Sequence, residues 1–285
     1  MRPGTPRSPD VVGVRCDAHT HLHDPRFAGA GLDISLWLRA RGGEYACAVN
    51  ATEEADWDDV TRLAPEPGVY PAYGLHPWKV SARKPGWERR LRARLETDLR
   101  AGVGETGLDR WIEGHDLDDQ LRVFRAHMEI AAELNRPLTV HCLRAWGAMR
   151  ECLAAGPLPQ CGFLLHAYGG PTEMLSEFVE MGAYFSFSTY FTDPRRHRVR
   201  DTFARVPPER LLLETDAPAM PPPRRLNENP LEDAEDGSLL NHPANLSLAL
   251  ESLSGIRGES VAVLEERTAA NFFRWWNGPA GVCCG

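Results

Sequence analysis

Short apolar runs recur along the chain at fairly even intervals: VVGVRCD, YACAVNA, VYPAYGL, AGVGET, PLTVHC, GFLLHAY, AYFSFS and RLLLETD. Each has the length of a strand. Most are almost continuously apolar rather than alternating, the pattern of strands covered on both faces. Longer amphipathic stretches lie between most of them: DDVTRLAP, GWERRLRARLETDL, LDDQLRVFRAHMEIAAELN, AWGAMRECLAA and PTEMLSEFVEMG. In the third, Leu121, Phe124, Met128 and Ala132 fall at helical spacing, which predicts a core-facing stripe, and Asn135-Arg136-Pro137 predicts its end. Eight strands alternating with helices predict an α/β fold, the (β/α)8 TIM barrel. The rival, an open doubly wound sheet, is weakened because no GxGxxG follows the first strand.

The rhythm breaks twice. Residues 217–245 after the eighth strand are Pro-rich, then acidic, and predict a long, partly ordered rim loop with disorder near Glu232 to Gly237. The ends read as a disordered lead (1–10) and a frayed tail (278–285) around one domain at 11–277, closed by the helix GESVAVLEERTAANFFRWW. Nothing reads as a membrane span or signal peptide. Seven irregularly spaced cysteines include no CxxC pair, which disfavours a thiolate zinc site and suggests a reducing, cytoplasmic compartment. A net charge of −8 argues against a broad, non-specific nucleic-acid binder but leaves room for a local basic rim.

The chemistry sits at the C-terminal ends of the predicted strands, the face where active sites of this fold lie. His19 and His21 end the first strand, His76 follows the third, Glu105 lies on the fourth, His141 on the fifth, His166 on the sixth, and Glu214 and Asp216 on the eighth. Residues i and i+2 of a strand share a face, so His19 and His21 can face one ion. A lone buried histidine is more often structural, but ligand-type residues at the same end of several strands argue for metal. Even without His76 and Glu214, four imidazoles and two carboxylates exceed what one tetrahedral ion needs. Glu105, with glycines flanking Glu105-Thr106, is the candidate bridge between two divalent ions roughly 3.5–4 Å apart. Mixed nitrogen and oxygen donors suit Zn, Mn, Co or Ni better than Mg.

The series DAHTHL, YGLHPW, GETGLDR, PLTVHCLRAW, FLLHAYGG, LLLETDAP and NHPANL resembles, in order and over nearly the whole chain, the TatD family of metal-dependent hydrolases. That resemblance implies a barrel deoxyribonuclease with 3′–5′ exonuclease activity supported by magnesium or manganese. It implies one metal on His19, His21 and Asp216, a second on His141 and His166, Glu105 between them, and His76 near the substrate phosphate. The chain departs from the family where HAYGG and HCLRAW stand. In the mechanism expected from these residues, Asp216 takes the proton of the attacking water and His76 donates to the phosphate. Asp17 and Glu214 support ligands from behind, and His23 lies too far out to bind the same ion as His21.

Substrate contacts are expected from Arg195, Arg196, Arg198 and Arg200 after the seventh strand, from Arg224 and Arg225 in the long loop, and by stacking from Tyr168, Tyr190 or Trp78. For each the bland alternative is a solvated charge or core packing. The expected partner is DNA or a small phosphodiester, with no membrane and no obligate protein partner. Two other functions compete: a hydrolase of small phosphate esters or amides on the same barrel, and a non-enzymatic, metal-stabilised protein. Amidohydrolases with a modified lysine on strand four are disfavoured, because Lys79 and Lys84 are the only lysines and neither lies there.

Overall fold

In the computed structural model, which describes residues 13–278, the eight apolar runs form eight strands: β1 (Arg15–Thr20), β2 (Tyr45–Asn50), β3 (Val69–Tyr73), β4 (Gly102–Asp109), β5 (Leu138–Leu143), β6 (Phe163–Leu165), β7 (Ala183–Ser188) and β8 (Leu211–Glu214). They are parallel and ordered as in the sequence. The seam closes just past β8, where Asp216 N–H donates to His19 O at 2.9 Å and His21 N–H to Ala217 O at 2.8 Å. Ten helices accompany them among the described residues: α1 (Arg26–Gly29), α2 (Ile34–Arg39), α3 (Trp57–Leu63), α4 (Trp87–Thr97), α5 (Leu117–Glu133), α6 (Trp146–Ala155), α7 (Leu175–Glu180), α8 (His197–Phe203), α9 (Leu246–Arg257) and α10 (Val261–Asn277). The protein is a (β/α)8 barrel. The lead at 1–10, Val11 and Val12, and the tail beyond Gly278 lie outside the described residues. No helix among those described is long and apolar enough to cross a membrane.

Alternation sorts each strand into two faces. Cys47, Val49, Phe163, Leu165, Phe185, Phe187, Leu211 and Leu213 pack outward with the helices. Their neighbours Cys16, Ala18, Ala46, Ala48, Ala72, Leu164, Tyr184 and Leu212 form a second cluster with Phe272, Trp275 and Trp276 of α10. Small side chains on β1, β2 and β3 thus leave room for three large rings, and Trp276 Nε1 donates to Arg100 O at 2.8 Å just before β4. This apolar floor lies at the N-terminal end, opposite the polar mouth. Removing one such ring costs roughly 3–5 kcal/mol.

The α5 stripe is rotated slightly from the expectation. Phe124 and Met128 are buried with Val123, His127, Ile130 and Ala131, while Leu121 and Ala132 are only half-buried. The segment expected to be disordered at 232–237 is instead the turn of a hairpin between β9 (Leu231–Glu232) and β10 (Leu239–Leu240). The correction has a local cause. Asp233 N–H donates to Ser238 O at 2.8 Å, and the Asp233 and Asp236 carboxylates accept from the N–H groups of Glu235 and Ser238 at 2.9 and 2.7 Å. Such turns order an acidic segment that lacks hydrophobic periodicity. The loop is then tied to the barrel by Asn241, whose Nδ2 donates to Thr215 O and Thr189 Oγ1, both at 2.7 Å.

Buried His127 stacks on Trp87 with ring centroids 4.6 Å apart, donates from Nδ1 to Val123 O at 2.8 Å and leaves Nε2 without a partner. Burial depresses its pKa to about 4, against the backbone hydrogen bond. The unfolded chain therefore binds this proton below about pH 6.5 and the folded chain only near pH 4, so stability present at neutral pH is lost as pH falls between them. Urea midpoints from pH 7 to 4.5 should show His127→Phe losing less stability on acidification than the wild type, by up to roughly 3 kcal/mol. Parallel pH profiles would refute this.

Candidate metal centre

Strict two-residue alternation would not aim the ligands correctly. On β1, Asp17 pairs with Cys47 and Thr20 with Val49, so three steps of β1 match two of β2. On β4, Val103 pairs with Leu138 and Thr106 with Val140, the same mismatch. Each irregularity inserts one residue and reverses the face of the residues after it. It turns His19 inward where it would share the face of Asp17, and Glu105 inward where it would share that of Val103. The glycines around Glu105 serve this geometry. Gly107 has φ +148°, and a Cβ there would lie 1.9 Å from His141 O.

Glu105 is buried at the centre of the mouth. Its Oε2 lies 3.4 Å from both His19 Nε2 and His21 Nε2. Asp216 Oδ1 lies 3.4 and 3.2 Å from the same two nitrogens, which are 3.2 Å from each other. The other Glu105 oxygen, Oε1, lies 3.0 Å from His141 Nδ1 and 2.9 Å from His166 Nε2, and these two nitrogens are 3.2 Å apart. One carboxylate thus gives one oxygen to each of two donor clusters.

The first cluster fits a cation. Five of the six separations among its four donor atoms are 3.2–3.4 Å. Three atoms at that spacing, as in His19, His21 and Asp216, can each lie roughly 2.0–2.2 Å from one ion, the range of Zn–N and Zn–O bonds. The tautomers also fit. His21 Nδ1–H donates to Asn50 O at 2.7 Å and His141 Nε2–H to Asp109 Oδ2 at 2.8 Å, which leaves the lone pairs of His21 Nε2 and His141 Nδ1 facing the clusters. His166 turns Nδ1 toward Glu214 Oε1 at 3.6 Å and stacks on His19 with centroids 4.0 Å apart.

The electrostatics demand positive charge here. Burial alone would raise the Glu105 carboxyl, but the imidazoles around it, His166 among them, and a hydrogen bond from His141 outweigh it and hold it well below the usual range. Burial opposes protonation of His21, yet Asp216 and Glu105 raise it to about 9. Without a cation the imidazoles recruit protons in its place, and metal binding would release them. His76 behaves differently. Burial lowers its pKa to about 3 despite Glu105, and its Nδ1 accepts from Trp78 N–H at 3.2 Å. The ring is neutral with its proton on Nε2, which faces Glu105 Oε1 at 3.5 Å. His76 thus presents an N–H at the mouth, and it also groups with Glu105 and His141, whose donor atoms lie within 4.8 Å of one another.

The remaining expectations divide. Glu214 does stand behind His166 and also accepts from Ser186 Oγ. Asp17 touches no imidazole ring. It accepts from the N–H groups of His19 (3.3 Å) and Thr215 (3.0 Å), and from Tyr45 OH (2.7 Å), so it locks the strand ends that carry His19 and Asp216. His23 turns to Asp56, 3.3 Å away. Tyr168 as a stacking residue is a correction: it is fully buried, donates its hydroxyl to Pro171 O at 2.7 Å and packs on Trp146 and Phe185. Arg195 is held by Asp193, Arg224 lies 3.4 Å from Glu232, and Arg196 lies over the Tyr190 ring at 3.5 Å. Asp109 was missed in the sequence. The available signal was an acidic residue at the end of β4, on the strand neighbouring His141.

A (β/α)8 barrel whose mouth holds two histidine clusters joined by one carboxylate defines the class of metal-dependent hydrolases. The family model described as TatD related DNase matches residues 16–277, and the chain belongs to that family. It is 29% identical to the 3′-5′ ssDNA/RNA exonuclease TatD of Escherichia coli K12 over 254 residues, covering 85% of this chain and 95% of that protein. It is 30% identical over 208 residues to the uncharacterized metal-dependent hydrolase YjjV of the same strain, covering 72% and 80%. The YjjV crystal structure superposes with a TM-score of 0.81 over 94% of this chain and all of that one, at 26% identity. A TatD-family hydrolase from Entamoeba histolytica, 16% identical with a TM-score of 0.76 over 93% and 98%, shares the fold.

Asp109→Asn should weaken divalent-metal binding roughly 10–100-fold by removing the carboxylate that orients His141. Metal titration by calorimetry checks this, and an unchanged affinity at both sites would show that Asp109 does not orient a ligand.

Proposed function

We propose that the protein is a divalent-metal-dependent nuclease that removes nucleotides from the 3′ end of single-stranded DNA. The observation that carries this reading is the division of the Glu105 oxygens between two donor clusters. His19, His21 and Asp216 would hold one ion, His141 and His166 the other, and Glu105 both. Bound there, the pair supplies Lewis acidity at a phosphodiester oxygen and lowers the pKa of an attacking water toward neutrality. Mn, Zn, Co and Ni suit the nitrogen-rich donors, and Mg remains in the test set because the family resemblance implies it.

The chain's own groups complete the reaction. Asp216, buried at the mouth with its carboxyl held well below the usual range against burial by His19 and His21, is ionised at neutral pH; it accepts the proton of the water whose oxygen bonds to phosphorus and returns it to the O3′ that departs as the P–O3′ bond breaks. His76 Nε2–H donates to a non-bridging phosphate oxygen as negative charge grows. Asp109 fixes His141 and Asn50 O fixes His21, while Glu214 stands 3.6 Å behind His166. The relative named as an ssDNA/RNA exonuclease supports a nucleic-acid substrate. The burial of all five described cysteines agrees with the proposed cytoplasmic location.

The test strips the protein of metal and restores Mg, Mn or Zn. It then presents 5′-labelled single-stranded DNA, bis(p-nitrophenyl) phosphate and a generic amide. Stepwise shortening from the 3′ end, lost in Glu105→Gln together with metal binding, is expected. Turnover of the small diester or amide without attack on DNA would replace this reading with a small-molecule hydrolase. Inertness with every metal would leave a non-enzymatic barrel.

A further inference from the structure

At the C-terminal ends of β3, β4 and β5 the rim carries an aromatic pair that the reaction itself does not use. Trp78 and Trp111 are 43% and 54% exposed, although indoles are ordinarily covered. Their rings stack with centroids 6.0 Å apart and planes 28° apart. Trp78 is pinned in place: its Nε1–H donates at 2.8 Å to Asp109 Oδ2, the same oxygen that accepts from His141 Nε2–H. Its ring also stands edge-on to His76 at 5.2 Å, and His76 in turn lies 4.5 Å from His141. Trp78 is therefore held in place, next to the ring assigned as donor to the phosphate.

Two arginines stand at the same strand ends. Arg110 lies between Asp109 and Trp111, and its N–H bonds Leu143 O at 2.9 Å, which puts Arg144 at the neighbouring strand end. Both arginines are exposed. Neither side chain has an acidic partner among the described residues, unlike Arg195 and Arg224, which are ion-paired. Exposed stacked rings, with arginines that have no acidic partner at the same strand ends, offer what a single strand needs, a face for a base and charge for its backbone.

We propose that Trp78 and Trp111, with Arg110 and Arg144 beside them, form a base-stacking subsite that seats the terminal nucleotide of a single strand next to His76 and the metal centre. The proposal rests on the nuclease reading and adds to it the part of the substrate that is recognised. The subsite grips the base irrespective of its identity, because every base offers a π face. It works through binding, so its loss appears in KM before kcat.

The experiment uses metal-loaded protein and two single-stranded substrates of equal length, oligo(dT) and the same strand with abasic residues at its 3′ end. The wild type should prefer the base-bearing end by about tenfold in kcat/KM, in the range of one stacked base. Trp111→Ala should raise KM for oligo(dT) by about that factor and erase the preference, and Trp111→Phe should restore part of it. Leu99→Ala, which alters an exposed apolar residue at the opposite end of the barrel, should leave both values unchanged. If the wild type degrades oligo(dT) and Trp111→Ala keeps the preference within twofold, the subsite is wrong and the nuclease reading stands. If the wild type cleaves bis(p-nitrophenyl) phosphate but neither strand, the nuclease reading fails and the subsite falls with it. If light scattering shows a wild-type dimer that Trp111→Ala dissolves, the patch is an interface between copies and the subsite is overturned.

Discussion

A buried carboxylate among four imidazoles is the constraint on which the rest depends. Glu105 is 2% exposed, and an isolated charge at that depth would cost many kcal/mol. It is tolerated because positive charge is supplied on both sides, by protons on the imidazoles or by the cations that would displace them. The fold supplies that charge from different strands. β1 carries His19 with His21 just past its end, β5 carries His141, and His166 and Asp216 follow β6 and β8, so five ligands from four strand ends gather around the carboxylate of β4. A barrel does this naturally, since parallel strands deliver their C-terminal ends to a common mouth.

The two ends of the barrel divide the labour. At the N-terminal end the interior is apolar and closed by the rings of α10, so the strands are fixed where no chemistry occurs. At the other end the interior becomes polar, and supports gather behind the ligands: Asn50 O for His21, Asp109 for His141, and Asp17 for the β1–β8 seam, with Glu214 3.6 Å from His166. These supports choose tautomers and hold strand ends. They turn a set of titratable side chains into a preorganised donor set.

Much of this was legible in the sequence because it depends on periodicity. The eight strands are near-continuous apolar runs, and the ligand-type residues sit at their ends. The features that were not legible depend on register and backbone. The irregularities before His19 and Glu105 leave no composition signal, although without them both side chains would face the helices. The carbonyl of Asn50 has no side-chain signature. Asp109 stood in the GETGLDR run but gained a role only once β4 and β5 were aligned. Tyr168 was open to both stacking and core packing because its burial comes from Trp146, Phe178 and Phe185, on three other elements. The acidic loop read as disordered because turn hydrogen bonds, not apolar contacts, order it.

That one carboxylate joins two cation sites is tested most directly by anomalous X-ray diffraction from crystals soaked in manganese, recorded on both sides of the absorption edge. Two peaks roughly 3.5–4 Å apart are expected, with Oε2 of Glu105 at the peak beside His19, His21 and Asp216 and Oε1 at the peak beside His141 and His166. A single peak, or two peaks with both Glu105 oxygens on the same ion, would contradict it.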